Sequence, residues 1–162
     1  MNTKKSLFII TCLHLIVWKM CSEKQIANYR RKISGPILDR IDLHVEVPRL
    51  EFSKLNQVAG GETSAQIKAR VEAARTRQHT RFVGQSFLNN AEMNSQAVYK
   101  YCPIDVPSQR LMANAMEKLK LSVRSYFRIL KLARTIADLE AEENILLKHL
   151  AEALQYRPTM ED

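Results

Sequence analysis

"LSVRSYFRILKLARTIADLE", residues 121–140, is the stretch that decides the fold. Val123, Tyr126, Phe127, Leu130, Ala133, Ile136, Ala137 and Leu139 recur at helical spacing and predict one broad buried side. Ser122 stands where a helix N-cap belongs, its hydroxyl able to accept an early backbone N–H. Arg124, Arg128, Lys131 and Arg134 follow one another one turn apart and therefore share a neighbourhood on the helix.

The helical pattern continues on both sides. Toward the C-terminus, Ile145, Leu146, His149, Leu150, Ala153 and Leu154 predict a helix over 144–156, with His149 packed or hydrogen-bonded inside a bundle. Upstream, Asp105 is a candidate N-cap, and Pro107 falls in the first turn where its missing N–H is harmless. Leu111, Met112, Ala115, Met116 and Leu119 give that helix its apolar face. Residues 83–103 carry a weaker signal, an Asn89-Asn90 turn and a short helical piece around 97–101.

Further back, Thr63 and Gln66 form a capping-box pattern ahead of Ile67, Val71 and Ala74. Lys68, Arg70, Arg75, Arg77 and Arg81 decorate this helix. Such a face is either solvated or a tracker of nucleic-acid phosphates. Residues 49–62 read as a loop ending in Gly60-Gly61. The period changes over 42–47, where Leu43, Val45 and Val47 alternate with Asp42, His44 and Glu46, as in a half-buried strand that Pro48 stops. His44 falls on the polar side, a solvated position. "SEKQIANYRRKI", 22–33, predicts a helix with Ser22 as cap and Gln25 as its box partner, ended by Ser34-Gly35-Pro36.

Residues 1–20 differ from the rest. Two lysines precede an apolar run from Leu7 to Val17, which is shorter than a membrane span of roughly 18 residues. Val17-Trp18-Lys19-Met20 offers no small-residue cleavage site. A weak signal or interfacial anchor, a core element, and residues foreign to the fold all remain open for this segment.

With 162 residues, 46% hydrophobic, the chain has room for one core and at most an appendage. Its net charge of +8 favours anionic partners. The excess sits early: residues 22–82 hold 12 bases and seven acids, whereas residues 83–162 hold ten of each. Cys12, Cys21 and Cys102 are too scattered for a disulfide framework, and no C-x-x-C or H-x-x-x-H pair is present to build a zinc site.

Three long stretches together resemble the magnesium-chelatase-like AAA+ ATPases of the ComM/YifB type: "ISGPILDRIDLHVEVP" (33–48), "GETSAQIKARVEAAR" (61–75) and "LSVRSYFRILKLARTIADLE" (121–140). "HLAEALQYR" (149–157) closes as that family closes, so the resemblance runs from about Cys21 to Arg157. It implies a mainly α fold: an AAA+ C-terminal helical lid bundle, preceded by a helix and one short strand from the end of the ATPase core. The corresponding division is an atypical segment 1–20, the end of the core over 21–50, and a helical linker and lid over 51–162.

The resemblance also implies roles. Arg40 stands where the family places its arginine finger, a guanidinium that stabilises charge on a neighbouring subunit's γ-phosphate. Asp39 and Asp42 would orient it; alternatively, the three form a surface ion-pair cluster. Arg124 stands where sensor 2 contacts nucleotide phosphate, or else serves helix solubility. Family members bind ATP and Mg²⁺, assemble as hexameric rings and are linked to DNA handling. Yet the glycines at 35, 60, 61 and 84 do not build G-x-x-x-x-G-K-[ST], and no apolar strand ends in Asp-Glu.

The chain is therefore read as the C-terminal part of such an ATPase, unable to hydrolyse ATP alone, binding neither ATP nor Mg²⁺ tightly by itself, and holding no metal of its own. Intact AAA+ subunits and DNA are the expected partners, the cytoplasm the expected location, and a membrane an unexpected one. The alternative is a basic helical nucleic-acid-binding or membrane-attached interaction module.

Overall fold

A computed structural model describes residues 41–45, 47 and 61–157 of the chain. The chain divides into two units, Met1–Ala59 and Gly60–Asp162, so the boundary falls at the Gly60-Gly61 pair. Of the first unit, only Ile41–Val45 and Val47 are described, and they carry no strand assignment. Glu46 and Pro48 lie outside the described residues, so the expected strand over 42–47 is described only in part. The expected helix over 22–33, the segment 1–20 and the loop over 49–60 lie outside the described residues.

The second unit is helical. Its elements are α1 (Ser64–Arg81), a 3₁₀ turn (Asn90–Glu92), α2 (Ser95–Tyr101), α3 (Val106–Lys118), α4 (Val123–Leu139) and α5 (Leu147–Gln155). Each of the first four helices starts on a side-chain cap. Thr63 Oγ1 accepts the Gln66 N–H at 3.3 Å, and Gln66 Oε1 accepts the Thr63 N–H at 2.8 Å, completing the expected box. Asn94, Asp105 and Ser122 accept from Ala97, Ser108 and Ser125 at 2.8, 2.9 and 3.1 Å. Such a cap stabilises a helix by about 1 kcal/mol.

α4 is the central helix. It packs against α5, α1, the 3₁₀ turn and α2, and α3 packs on α5. Ile129, Leu130, Ala133, Ile136 and Ala137 bury its inner side. Val98 of α2, Met112 of α3, and Leu150 and Ala153 of α5 join the same core. Under α1, Phe82 meets Phe87 and Tyr101 edge-to-face, with ring centroids 4.8 and 5.2 Å apart.

The structure departs from the sequence expectation at four places. Val123 belongs to the exposed side of α4, while Ile129, Arg134 and Asp138 are buried. Ile67 and Val71 are exposed: residues 64–73 are exposed throughout, and the buried positions of α1 among the described residues are Ala74 and Gln78. The last helix begins at Leu147 rather than at residue 144. The cause is a contact from the preceding helix: the carbonyls of Glu142 and Glu143 accept from Arg134 Nη2 and Nη1 at 2.6 and 2.7 Å, so the chain there turns around a guanidinium. The fourth is α2, which runs from Ser95 to Tyr101, longer than the piece expected around 97–101.

Two helices end in a left-handed residue that is not glycine. Ala141 has φ 64° and Lys120 has φ 47°. At the first, the Glu142 N–H reaches back to Ala137 O at 2.9 Å and the Ala141 N–H to Asp138 O at 3.3 Å. At the second, the Leu121 N–H reaches Met116 O at 3.0 Å and the Lys120 N–H reaches Glu117 O at 3.4 Å. These paired back-bonds are Schellman motifs, which satisfy the last helical carbonyls.

Candidate functional site

The Ser122 cap sets the start of α4 and thereby fixes the place of Arg124, the second residue of that helix. Arg124 is exposed and makes no hydrogen bond or ion pair among the described residues. Its position is electrostatically unfavourable for the helix. The first turn presents free N–H groups and the positive end of the helix dipole, where a cation is disfavoured by about 0.3–1 kcal/mol. Helix stability therefore gives no reason for an arginine at this point. An anion held there would meet both the guanidinium and the dipole with favourable sign.

Arg134, three turns along the same helix, has the opposite character. The sequence groups it with Arg124, Arg128 and Lys131, but its side chain is buried. Its Nε donates to Asp138 Oδ1 at 3.2 Å, and its two terminal nitrogens close the turn after α4. Asp138, fully buried, is the hub. Arg81 donates to Asp138 Oδ2 at 2.9 Å and also to Oδ1, and Asn90 Nδ2 donates to Oδ2 at 2.8 Å. Gln78 Oε1 accepts the Asn90 N–H at 3.2 Å. Burial alone would push the Asp138 carboxyl up. The hydrogen bonds from Arg81 and Asn90, with the charges of Arg134 and Arg81, outweigh it and hold the carboxyl below its ordinary value.

This hub uses residues that the sequence leaves open between a solvated face and nucleic-acid contacts. Arg81 is committed to Asp138, and Arg77 Nη1 donates to the Asp138 carbonyl at 3.1 Å. Arg70 forms a two-bond fork with Glu62 at 2.7 and 2.9 Å, and Lys68 lies 3.7 Å from Glu72. Arg75 alone of the five makes no hydrogen bond or ion pair among the described residues. The five cations of α1 are thus distributed among internal structure, local pairs and one open guanidinium, and do not form a single phosphate-facing row. Asp138, Asn90 and Gln78 escaped the sequence reading. The one available signal was Arg134-x-x-x-Asp138, an opposite-charge pair one turn apart.

Arg40 and Asp39 lie outside the described residues, and Asp42 is exposed. His149 sits in the bundle as expected, fully buried. Its Nδ1 accepts the Leu146 N–H at 3.0 Å, so the proton is on Nε2, which faces Glu140 Oε2 at 3.1 Å. The imidazole thereby supplies the reciprocal half of a capping box at the start of α5, while Leu146 has no side-chain acceptor for the first-turn N–H groups.

Cys102 is buried and its thiol is pushed up to about 12 by burial, which leaves it protonated and unreactive at neutral pH. Among the described residues no three His, Cys, Asp or Glu side chains converge to hold a metal ion. A shallow apolar groove of about 230 Å³ runs between α3 and α4, lined by Ile104, Met112, Met116 and Tyr126 among others.

A helical domain with an open arginine at the head of its central helix matches a known family over nearly its whole described length. Residues 61–157 match the family described as magnesium chelatase, subunit ChlI C-terminal. The chain belongs to this magnesium chelatase family. Residues 17–55 match a second family, magnesium chelatase, subunit ChlI, so both parts of this magnesium-chelatase-like chain point the same way. Its relatives include competence protein ComM of Haemophilus influenzae, 44% identical over 84% of this chain and 26% of the relative. The protein YifB of Salmonella typhimurium is 41% identical, and that of Escherichia coli 39% identical, each over 85% of this chain and 26% of the relative. The chain thus spans about a quarter of the length of these curated relatives. No helix among the described residues is long and apolar enough to cross a membrane.

Proposed function

We propose that this chain acts as the helical, nucleotide-sensing part of an AAA+ ATPase assembly. Arg124 contacts the phosphates of a nucleotide gripped by another polypeptide, and Arg40 serves as a finger delivered in trans and oriented by Asp39 and Asp42. ATP and Mg²⁺ belong to that assembly, since this chain has no G-x-x-x-x-G-K-[ST] loop to cradle the phosphates. The observation that carries the reading is the open guanidinium of Arg124 at the N-terminal end of α4, with no counter-ion among the described residues.

The chemistry follows from charge. In phosphoryl transfer, negative charge spreads over the γ-phosphate oxygens, and a guanidinium delivered to them stabilises that spread; such fingers raise turnover by roughly 10³–10⁵. Arg124 would form charge-assisted, forked hydrogen bonds to the same phosphate group. Because Arg81–Asp138–Arg134 locks α1 to the end of α4, movement of Arg124 would be passed as a rigid displacement to Gly61, at the junction with the first unit.

The test mixes purified chain with an intact ComM-type ATPase and follows ATP turnover. The chain alone gives no turnover, and its addition changes the rate of the intact enzyme. Arg124→Ala and Arg40→Ala each abolish that change. An equal effect from wild type and both variants would refute the reading.

A further inference from the structure

The two halves of α1 are held by different means. From Ala74 onward the helix is clamped: Ala74 and Gln78 are buried, and Arg77 and Arg81 bond to Asp138. Residues 61–73, by contrast, are exposed throughout, and a Cβ placed on Gly61 would meet no atom within 4 Å. A short helix without packing is marginal in water, so local side-chain bonds have to hold this half. The Thr63–Gln66 box acts on the first turn. Lys68 and Glu72 stand 3.7 Å apart with the cation N-terminal to the acid, the less favourable order. The remaining device is the two-bond fork of Arg70 on Glu62, at 2.7 and 2.9 Å.

The fork differs from the other pairs in its span. Glu62 precedes the Thr63 N-cap, so the bond crosses the start of the helix and reaches two turns into it, roughly 12 Å of axial length. The Arg70 side chain runs back toward the N-terminus, the direction helical side chains favour. Glu62 brings a carboxylate to the positive end of the helix dipole. Two parallel bonds between planar groups fix orientation as well as distance. Arg70 holds the Glu62 carboxyl below its ordinary value, chiefly through these hydrogen bonds.

We propose that the Glu62–Arg70 fork is a latch that sets the direction in which the chain enters α1. Closed, it makes residues 62–81 one stiff rod whose far end is fixed to Asp138. Open, Glu62 swings about Gly61, and only the Thr63–Gln66 box still orders the first turn. An exposed ion pair adds little to overall stability, so the latch acts on direction and not on whether the chain folds. Its use rests on the role proposed for Arg124: a displacement of α4 reaches Gly61 along a fixed line only while the fork is closed. The latch itself does not depend on that role.

Backbone amide relaxation by NMR, on the full chain without nucleotide or ATPase, tests the latch. The Glu62 amide is expected to be as ordered as the helix, with an order parameter of about 0.85, and to fall below about 0.6 in Glu62→Gln and in Arg70→Gln. Salt at about 1 M gives the same loss, because an exposed pair is screened. Exchanging the charges, Glu62→Arg with Arg70→Glu, restores the order, which a carboxylate acting on the dipole alone would not allow. Lys68→Ala leaves Glu62 ordered, and circular dichroism checks that each variant stays helical. A Glu62 amide already mobile in the wild type, or equally ordered in Arg70→Gln, would overturn the proposal. In the mixed ATPase assay, Glu62→Gln is expected to reduce the change in turnover. An undiminished change with a disordered Glu62 would overturn the use of the latch. No change from the wild type would remove the role of Arg124 and leave the relaxation result standing.

Discussion

Asp138 and Arg81 belong to different helices, 57 residues apart in sequence, and share two side-chain hydrogen bonds at the end of α4. Asp138 has no exposed surface, and Arg134 and Asn90 complete its shell. Removing one partner from such a buried pair leaves the other uncompensated, which typically costs 3–5 kcal/mol. Asp138→Ala is expected to destabilise the chain by about 3 kcal/mol or more in urea unfolding, because it strands two arginines. Arg81→Ala should cost less, about 2 kcal/mol, since Arg134 and Asn90 still face the carboxylate. Arg75→Ala, on the same helix with no partner among the described residues, should stay within about 0.5 kcal/mol. Equal stability of all three variants would show that the hub does not hold α1 to α4.

The same hub sets an acid limit. Asp138 is held below its ordinary value by its partners, and Glu140 is lowered by the hydrogen bonds from Lys148 and His149. A carboxyl that is more acidic folded than unfolded adds stability above its unfolded value, around pH 4, and loses it as pH falls through the lower folded value. Thermal midpoints should therefore be steady from about pH 7 to pH 5 and drop steeply below about pH 4. Asp138→Asn should start from a lower midpoint at neutral pH and show a shallower acid slope, the readout being midpoint against pH for both proteins.

Ala141 closes α4 in the left-handed region at φ 64°, where a Cβ meets the backbone unfavourably by roughly 1–2 kcal/mol. Glycine is free of that strain but has more conformational freedom to lose on folding, which takes back roughly 0.5–1 kcal/mol. Ala141→Gly is expected to stabilise the chain by about 0.5 kcal/mol, measured as a higher urea midpoint with an unchanged slope. A lower midpoint would mean that the Schellman turn is not the state the chain adopts there.

Much of the helical layout was legible because its signals are local. The Thr63–Gln66 box, Asp105 ahead of Pro107, and Ser122 ahead of Val123 each act within one turn, and the structure has all three caps. What escaped depended on distant partners. Arg134 groups with Arg124, Arg128 and Lys131 in the sequence and Asp138 carries no signal of its own, until α1 and the 3₁₀ turn bring Arg81 and Asn90 to them. Ile67 and Val71 read as core, yet no helix among the described residues reaches their half of α1. The start of α5 was placed three residues early because the guanidinium that captures Glu142 and Glu143 carbonyls comes from another helix. Arg124 was singled out by resemblance alone. Its periodicity is that of Arg128 and Arg134, and only the fold separates an open arginine from a buried one.

That separation is the centre of the account, and arginine side-chain NMR of the chain titrated with inorganic tripolyphosphate tests it most directly. The expected result is a saturable shift of the Arg124 guanidinium, with Arg81 and Arg134 unmoved and the response lost in Arg124→Ala. A uniform drift of all exposed arginines, or an unchanged titration in Arg124→Ala, would contradict it.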